Sequence, residues 1–470
     1  MDAMRDDEFS ARGDARAAVQ AIRSALRGEV LGPGDAGYDD ARKVYNAMID
    51  KRPARVARCV DAADVVRALE LGRKQGLDIA IRGGGHNGAG LGVVDDGLVI
   101  DLSQMRGVRV DPRKRTAQVA AGTLLSEVDH ATHAFGLAAP FGIIGTTGAS
   151  GLTLGGGVGH LTRKLGLSID NLLEADVVLA DGSFVTASAT DHPDLFWALR
   201  GGGGNFGVVT SLTFRLSPVS AVYFGPMLWP LERSAEILSW YRGFIGKQAE
   251  DLNGFFAFLT VPPAPPFPPE LHMHKMCGVV WCSTAAKDET DRLLAPARKL
   301  KPALDGVMEV PFPAAQSAFD GLYPPGYQWY WRADYVAEIP DAAVERHVEF
   351  AQALPTPHST MHLYPCDGAA SRVPNDATAW AYREAKWAQV MVGVDPDAAN
   401  AERIRTWSVD YWNAIHPYSM GGAYVNFMME EGDDRVRDAY RGNYGRLAKI
   451  KAKYDPDNVF HVNQNIKPKR

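Results

Sequence analysis

The chain holds 470 residues, 46% hydrophobic and 23% charged, a globular composition long enough for two domains or for one large domain with an insertion. Its formal charge of −6 offers no basic footprint for nucleic acid, and no apolar run approaches the roughly 18–20 residues of a membrane span. The acidic start Met-Asp-Ala-Met-Arg-Asp-Asp-Glu lacks the apolar core of a signal peptide, so a cytoplasmic protein without a membrane partner is expected.

Asp61 begins a predicted helix through Val65, Val66 and Leu69, and Gly76 leads into a short apolar strand at Ile79 and Ile81. Directly after that strand comes Arg82-Gly83-Gly84-Gly85-His86-Asn87-Gly88. Glycines let a backbone turn tightly and present N–H groups to a pyrophosphate, and Arg82 would add a positive fork beside them. His86 is the one reactive side chain in that bed. Gly83, Gly85 and Gly88 satisfy G-x-G-x-x-G, as do Gly202, Gly204 and Gly207. A dinucleotide fingerprint, however, needs a strand before its glycines and a helix after them. Gly88 is followed by a loop and the strand-like Leu98 to Leu102. The second match has a helix-like Asp194 to Leu199 before it and a strand after it. Both contexts are wrong for a doubly wound sheet.

Leu124, Leu125, Val128, Ala131 and Phe135 form an amphipathic helical pattern stopped at Gly136. Val177 to Ala180, then Asp181-Gly182, then Ser183 to Thr186 predict a hairpin with a type I′ turn. After Pro218 glycines thin out and aromatics increase. Strands are predicted at Phe255–Val261, Met276–Cys282 and Tyr330–Val336, with helices at Glu232–Phe244, Asp288–Leu300 and Glu402–Ile415 and a proline-rich loop from Pro262 to Pro269. A sheet covered by helices on one face follows, in a second domain. Asp434 to Lys453 reads as one helix ending in the turn Tyr454 to Asn458, and the tail is expected to return to the first domain. Cys59, Cys277, Cys282 and Cys366 are scattered, without C-x-x-C or zinc spacing, so inert thiols and no metal are expected.

Six segments then line up: the Arg82–Asn87 run, Gly148 to Gly159, Arg163 to Asn171, Gly201 to Val209, Tyr424-Val425-Asn426, and the tail Tyr454 to Ile466. Together they resemble the berberine-bridge-enzyme-like flavoproteins of the vanillyl-alcohol-oxidase and p-cresol-methylhydroxylase superfamily, bacterial type. The resemblance implies an α+β, two-domain FAD-binding fold of the p-cresol-methylhydroxylase type with a sheet-and-helix substrate domain. Residues 1–217 would bind FAD, 218–429 the substrate, and 430–470 would return to the FAD-binding domain. It further implies that His86 is joined to the 8α-methyl of FAD. Many relatives carry a second, cysteinyl link; Ile144 stands at that position, so a single covalent bond and a narrower site are expected. Thr147 sits where relatives place the residue that faces the oxygen-reacting flavin edge, and its small β-branched side chain favours access for O2. Arg82, Gly83, Gly84, Gly85 and Asn87, with Gly145, Thr146, Gly148, Ser150 and Gly151, look like cofactor contacts, as do Asn205, Gly207 and Val208. Asp170-Asn171 and Asn463/Asn465 would bond either the pyrimidine ring or neighbouring loops.

The cofactor carries the redox chemistry, and the protein orients the substrate and handles its proton. By the same resemblance Tyr424, supported by Asn426, would serve as or assist the base. A tyrosine with its pKa near about 10 needs a cation or hydrogen bond to lower it. Arg332, on the strand with Tyr330 and Trp331, and the segment with Tyr364 and Asp367 are the candidate neighbours, although core packing also accounts for Tyr330, Trp331, Tyr364 and Asp367. His160 and His192 read as structural. The expected activity is an FAD oxidase that takes hydride from a small alcohol, amine or polyketide-type substrate and returns electrons to O2 as H2O2. A dehydrogenase with another acceptor, a flavin that inserts oxygen, and a flavin-retaining protein without turnover are the alternatives.

Overall fold

The computed structural model of the chain describes residues 25–469; the acidic start read above lies outside them. Asp61 caps the helix Ala62–Lys74 by accepting the Asp64 N–H at 3.0 Å, and Gly76, at φ +64°, turns the chain out of it. That helix packs on a four-stranded sheet in the order Val30–Leu31, Arg55–Arg58, Leu98–Asp101, Ile79–Arg82, whose last three strands run parallel. A second, antiparallel sheet orders Val108–Asp111, Thr116–Ala120, Val208–Arg215, Leu172–Val178 and Phe184–Ser188.

The hairpin between the last two strands of this sheet is present, but its turn is not type I′. That type needs positive φ at both central residues. Only Gly182 has it, at +86°, while its N–H bonds Leu179 O at 2.9 Å. The connection is a type I turn over Leu179–Gly182 followed by a left-handed glycine, so Ala180 and Asp181 keep ordinary backbone angles.

A third, antiparallel sheet of eight strands follows. Its order is Leu304–Asp305, Ala221–Pro230, Lys275–Ser283, Leu252–Thr260, Thr360–Pro365, Trp387–Asp395, Gln328–Val336, with Met308–Pro311 also pairing with Ala221–Pro230. Side-chain alternation gives this sheet two different faces. Phe256, Phe258, Met361, Leu363 and Met391 point to one, where they pack with Leu238, Leu294, Val344 and Trp407 from the helices Ser234–Phe244, Lys287–Lys299, Asp341–Gln352 and Ala401–Ile415. Their sequence neighbours Phe255, Ala257, Tyr364, Val390 and Val392 point to the other, towards the first two sheets.

The tail forms two helices where one was expected, Asp433–Tyr440 and Tyr444–Tyr454, broken at Arg441 with φ +45° and Gly442. Lys451 anchors it. Its buried ammonium donates to Asn205 O at 2.7 Å, Phe460 O at 2.9 Å and the buried Asp455 carboxylate at 2.6 Å. Asn205 closes the same joint, donating to Gln464 O at 3.1 Å and accepting from Ile466 N–H at 2.9 Å. Removing one partner of a buried ion pair strands the other charge, so Asp455→Ala is expected to cost about 3–5 kcal/mol and to lower the urea midpoint clearly. Lys287→Ala, which breaks the exposed pair with Asp291, should barely move that midpoint.

Candidate active site

The strand Ile79–Arg82 delivers the glycine run to the meeting point of the sheets. A Cβ on Gly84 would overlap the backbone of Gly148, and one on Gly148 would overlap Gly84, while a Cβ on Gly83 would lie 2.9 Å from Ser150 Oγ. The two loops therefore touch backbone to backbone. Gly85, at φ +72°, then turns His86 into the gap. The imidazole stacks on Tyr45 at 4.0 Å, with Nε2 3.0 Å from Thr146 Oγ1 and Nδ1 3.4 Å from Thr147 Oγ1. Burial pushes its pKa down to about 4, so at neutral pH it is uncharged. The loop that carries Thr146 is held from below by Asp320, which accepts the Gly145 N–H at 2.6 Å.

These loops form one wall of a cleft of about 350 Å3, within the range of small-molecule sites. Gly83, Gly84, Gly85, His86, Asn87, Ile144, Thr147, Gly148, Ser150, Gly151, Asn205, Gly207 and Asn463 all line it. A Cβ on Gly151 or Gly204 would enter open space, and the Oδ1 atoms of Asn463 and Asn465 are buried without a hydrogen-bond partner. An elongated ligand with an N–H donor would satisfy Asn463 Oδ1, as the ring carbonyls and phosphates of a flavin nucleotide would satisfy the glycine N–H groups.

Several expected contacts lie elsewhere. Arg82 lines the cleft, but its guanidinium is committed to Asp101 at 2.7 Å and to Lys43 O at 3.1 Å, so no free positive fork faces the glycines. Val208 turns into the core beside Leu69 and Phe460, because strand alternation gives the cleft to Gly207 and Val209. Gly145 and Thr146 back the loop and Asn465 lies behind Asn463, none of them in the lining. Asp170 is spent on Arg383 in a bidentate pair at 2.8 Å, and Asn171 donates to Leu165 O and Leu167 O; both serve loops. Ser150 lines the cleft but donates to Ala121 O at 2.7 Å.

The opposite wall comes from the eight-stranded sheet. Trp329 and Trp331, then Thr360, His362 and Tyr364, then Val390 and Val392 face the cleft from three neighbouring strands. The same alternation removes Arg332, whose guanidinium points to the helix side and pairs with buried Glu431 at 2.5 Å. Asp367 pairs with Arg163 at 2.8 Å, also outside the lining. Neither is a neighbour of Tyr424. Tyr424 and Asn426 do line the cleft, docked on the second glycine run: the Tyr424 hydroxyl accepts Gly157 N–H at 2.8 Å and Asn426 Nδ2 at 2.7 Å. Burial pushes that hydroxyl up to about 12, against those two bonds and with no cation at hand. Tyr424 thus holds its proton at neutral pH instead of acting as an activated base.

His362, Tyr45 and Trp329 escaped the sequence reading. Of these only His362 had a legible signal, the alternation in Thr360-Met361-His362-Leu363-Tyr364, which puts 360, 362 and 364 on one face. Asn46 escaped it too. It is fully buried, donates to Gly88 O and Trp329 O and accepts Trp329 N–H, and so ties the glycine loop to the substrate-side strand. Gly88 completes that joint, since a Cβ there would overlap the Trp331 ring.

The fold and the glycine-walled cleft together define a flavin-dependent oxidoreductase, and comparison with known proteins says the same. Residues 53–188 match the FAD binding domain family and residues 423–467 the family described as berberine and berberine like. The chain is 31% identical over 456 residues to the uncharacterized FAD-linked oxidoreductase YgaK of Bacillus subtilis, covering 95% of this chain and 98% of that one. It is 27% identical to (R)-6-hydroxynicotine oxidase of Paenarthrobacter nicotinovorans, over 94% of this chain and 97% of that one. The crystal structure of 6-hydroxy-D-nicotine oxidase from Arthrobacter nicotinovorans superposes with a TM-score of 0.84 at 26% identity, covering 94% and 98% of the two chains. The chain belongs to the berberine-bridge-enzyme-like family of FAD-linked oxidoreductases.

Two outcomes are expected from this geometry. Gly84→Ala forces the loops apart and should abolish flavin retention, read as the ratio of flavin to protein absorbance after purification. His160, His347 and His362 are buried, and burial pushes each imidazole down to about 3. Unfolded histidines take up protons first as pH falls through about 6.5. The stability these groups contribute is therefore complete above that pH and lost towards 3, at about 1.4 kcal/mol per pH unit and histidine. His160→Phe, placed among Phe224, Phe255 and Phe319, should show a shallower fall of Tm between pH 7 and 5 than the wild type.

Proposed function

We propose that the chain is an oxidase carrying one covalent bond to FAD, from His86 to the flavin 8α-methyl, and acting on a small molecule in the cleft. The observation that carries this reading is the His86 site. A neutral imidazole is held between Thr146, Thr147 and Tyr45 in the wall of the cleft, at the point where two glycine loops meet. Ile144, also in that wall, has no thiol for a second link. A flavin bound there would supply the hydride acceptor for the substrate and the route by which two electrons reach O2 to give H2O2.

The rest falls to the chain's own residues. Residues 1–217, with the 430–470 tail, hold the cofactor, and the glycine N–H groups and the Asn463 amide are the groups offered to it. Residues 218–429 supply the aromatic wall that excludes water and orients the substrate. Tyr424, kept protonated, donates or is bonded instead of abstracting a proton. Thr147 leaves room for O2 where a bulkier side chain would not. All four cysteines are free and buried, in keeping with a reducing, cytoplasmic setting. No helix among the described residues is long and apolar enough to cross a membrane.

His86→Ala is expected to release its flavin on acid precipitation or denaturing electrophoresis, where the wild type keeps a fluorescent band. A flavin that stays attached in the variant would assign the bond elsewhere. Stoichiometric H2O2 on admitting air to the substrate-reduced protein is the outcome expected of an oxidase; slow reoxidation in air would favour a dehydrogenase.

A further inference from the structure

We propose that the substrate end of the cleft is built for an uncharged aryl carbinol, and that His362, paired with Tyr364, accepts the carbinol proton. The inference rests on the flavin-dependent reading above and adds to it the substrate class and the proton acceptor.

The lining argues for the class. Tyr45, Tyr323, Trp329, Trp331, Tyr364 and Phe427 present rings, backed by Val390 and Val392. Among the described residues that line the cleft there is no Asp, Glu or Lys, and the one cation, Arg82, is already bound to Asp101. An alkylammonium ion would shed its water with no carboxylate to meet it. A sugar would bring several hydroxyls to a wall that, apart from the unpartnered indole N–H groups of Trp329 and Trp331, has most of its polar groups spent. Tyr45 donates its hydroxyl to Tyr323 O, Thr360 to Phe258 O at 2.6 Å, and the Asn426 amide to Leu152 O and Tyr424. A flat ring, by contrast, gains stacking on every side.

Beside the buried, unpartnered indole N–H groups of Trp329 and Trp331, which can only donate, one polar pair on this wall remains open and can accept a proton. His362 and Tyr364 stand two apart on the strand Thr360–Pro365, both on the cleft face, with Nδ1 2.5 Å from the tyrosine hydroxyl oxygen. That bond occupies Nδ1 and leaves Nε2 as the nitrogen for a ligand. Burial keeps the imidazole neutral and the Tyr364 hydroxyl protonated. The pair therefore has two tautomers. If Tyr364 donates to Nδ1, Nε2–H is a donor. If Nδ1–H donates to Tyr364, Nε2 carries a lone pair and Tyr364 O–H is free to turn to the ligand. The second arrangement fits a hydroxyl that must lose its proton. In the step, the carbinol C–H bond breaks with its electron pair passing to the flavin, the O–H bond breaks with its proton passing to His362 Nε2, and a C=O bond forms. A weak base suffices, because the proton becomes strongly acidic as hydride departs.

The test uses the purified holoprotein without oxygen. The unreactive 4-methoxybenzaldehyde should perturb the flavin spectrum and bind by calorimetry, at least tenfold more weakly in Trp331→Ala. At the same concentrations cellobiose and N-methylpyrrolidine should do neither. Bleaching of the flavin by 4-methoxybenzyl alcohol should fall at least 100-fold in His362→Gln, with aldehyde affinity held within threefold. Tyr364→Phe, which keeps the ring, should slow bleaching with binding unchanged. Equal or tighter binding of cellobiose or N-methylpyrrolidine, or an aldehyde affinity indifferent to Trp331→Ala, overturns the substrate class and leaves the flavin reading standing. Wild-type bleaching in both His362→Gln and Tyr364→Phe overturns the proton acceptor. A protein that purifies without flavin overturns the functional reading itself, while calorimetry still decides the aryl preference.

Discussion

Two backbones in contact, at Gly84 and Gly148, set the geometry of this protein. No other residue fits at either position, since a single Cβ would occupy the space of the opposite loop. The contact brings Thr146 and Thr147 within reach of His86, and it fixes the wall against which a flavin would lie. Every further joint serves it. Asp320 holds the second loop from outside, Asn46 ties the first to Trp329, and Asn205 with Lys451 pulls the tail across the third glycine run.

The electrostatics of the cleft follow from where its charges have gone. Arg82, Arg332 and Arg163 belong to suggestive segments and Arg383 faces one of them, and each is neutralised by a carboxylate: Asp101, Glu431, Asp367 and Asp170. These pairs brace loops and strands. They leave a cavity with neutral walls, in which imidazoles and phenols keep their uncharged forms because desolvation outweighs the hydrogen bonds they make. A cavity of this kind favours neutral ligands and hydride chemistry over the binding of ions.

Division of labour between the sheets explains why the two walls differ. The parallel and five-stranded antiparallel sheets end in glycine loops that offer backbone donors, which suit a cofactor with phosphates and ring carbonyls. The eight-stranded sheet offers side chains from three adjacent strands, every second residue, and such a wall can be altered without moving the backbone. Specificity can change on that face while the cofactor site stays as it is.

Much of this was legible in the chain itself. The glycine–histidine run, the cap at Asp61 and the strands of the second half depend on local chemistry or spacing, which a sequence displays directly, whereas the absence of a thiol at Ile144 has meaning only through the family resemblance. Tyr424 and Asn426, singled out in the chain, both line the cleft. Tertiary structure alone decided the fate of charges and the choice of face. Arg332 and Asp367 read as catalytic neighbours because their partners, Glu431 and Arg163, are distant in sequence. His362 went unnoticed because a histidine on a strand means little until two adjacent strands bring tryptophans and valines to the same face. Periodicity states that alternate residues share a side. Only the packed sheet determines which side meets the helices and which meets the ligand.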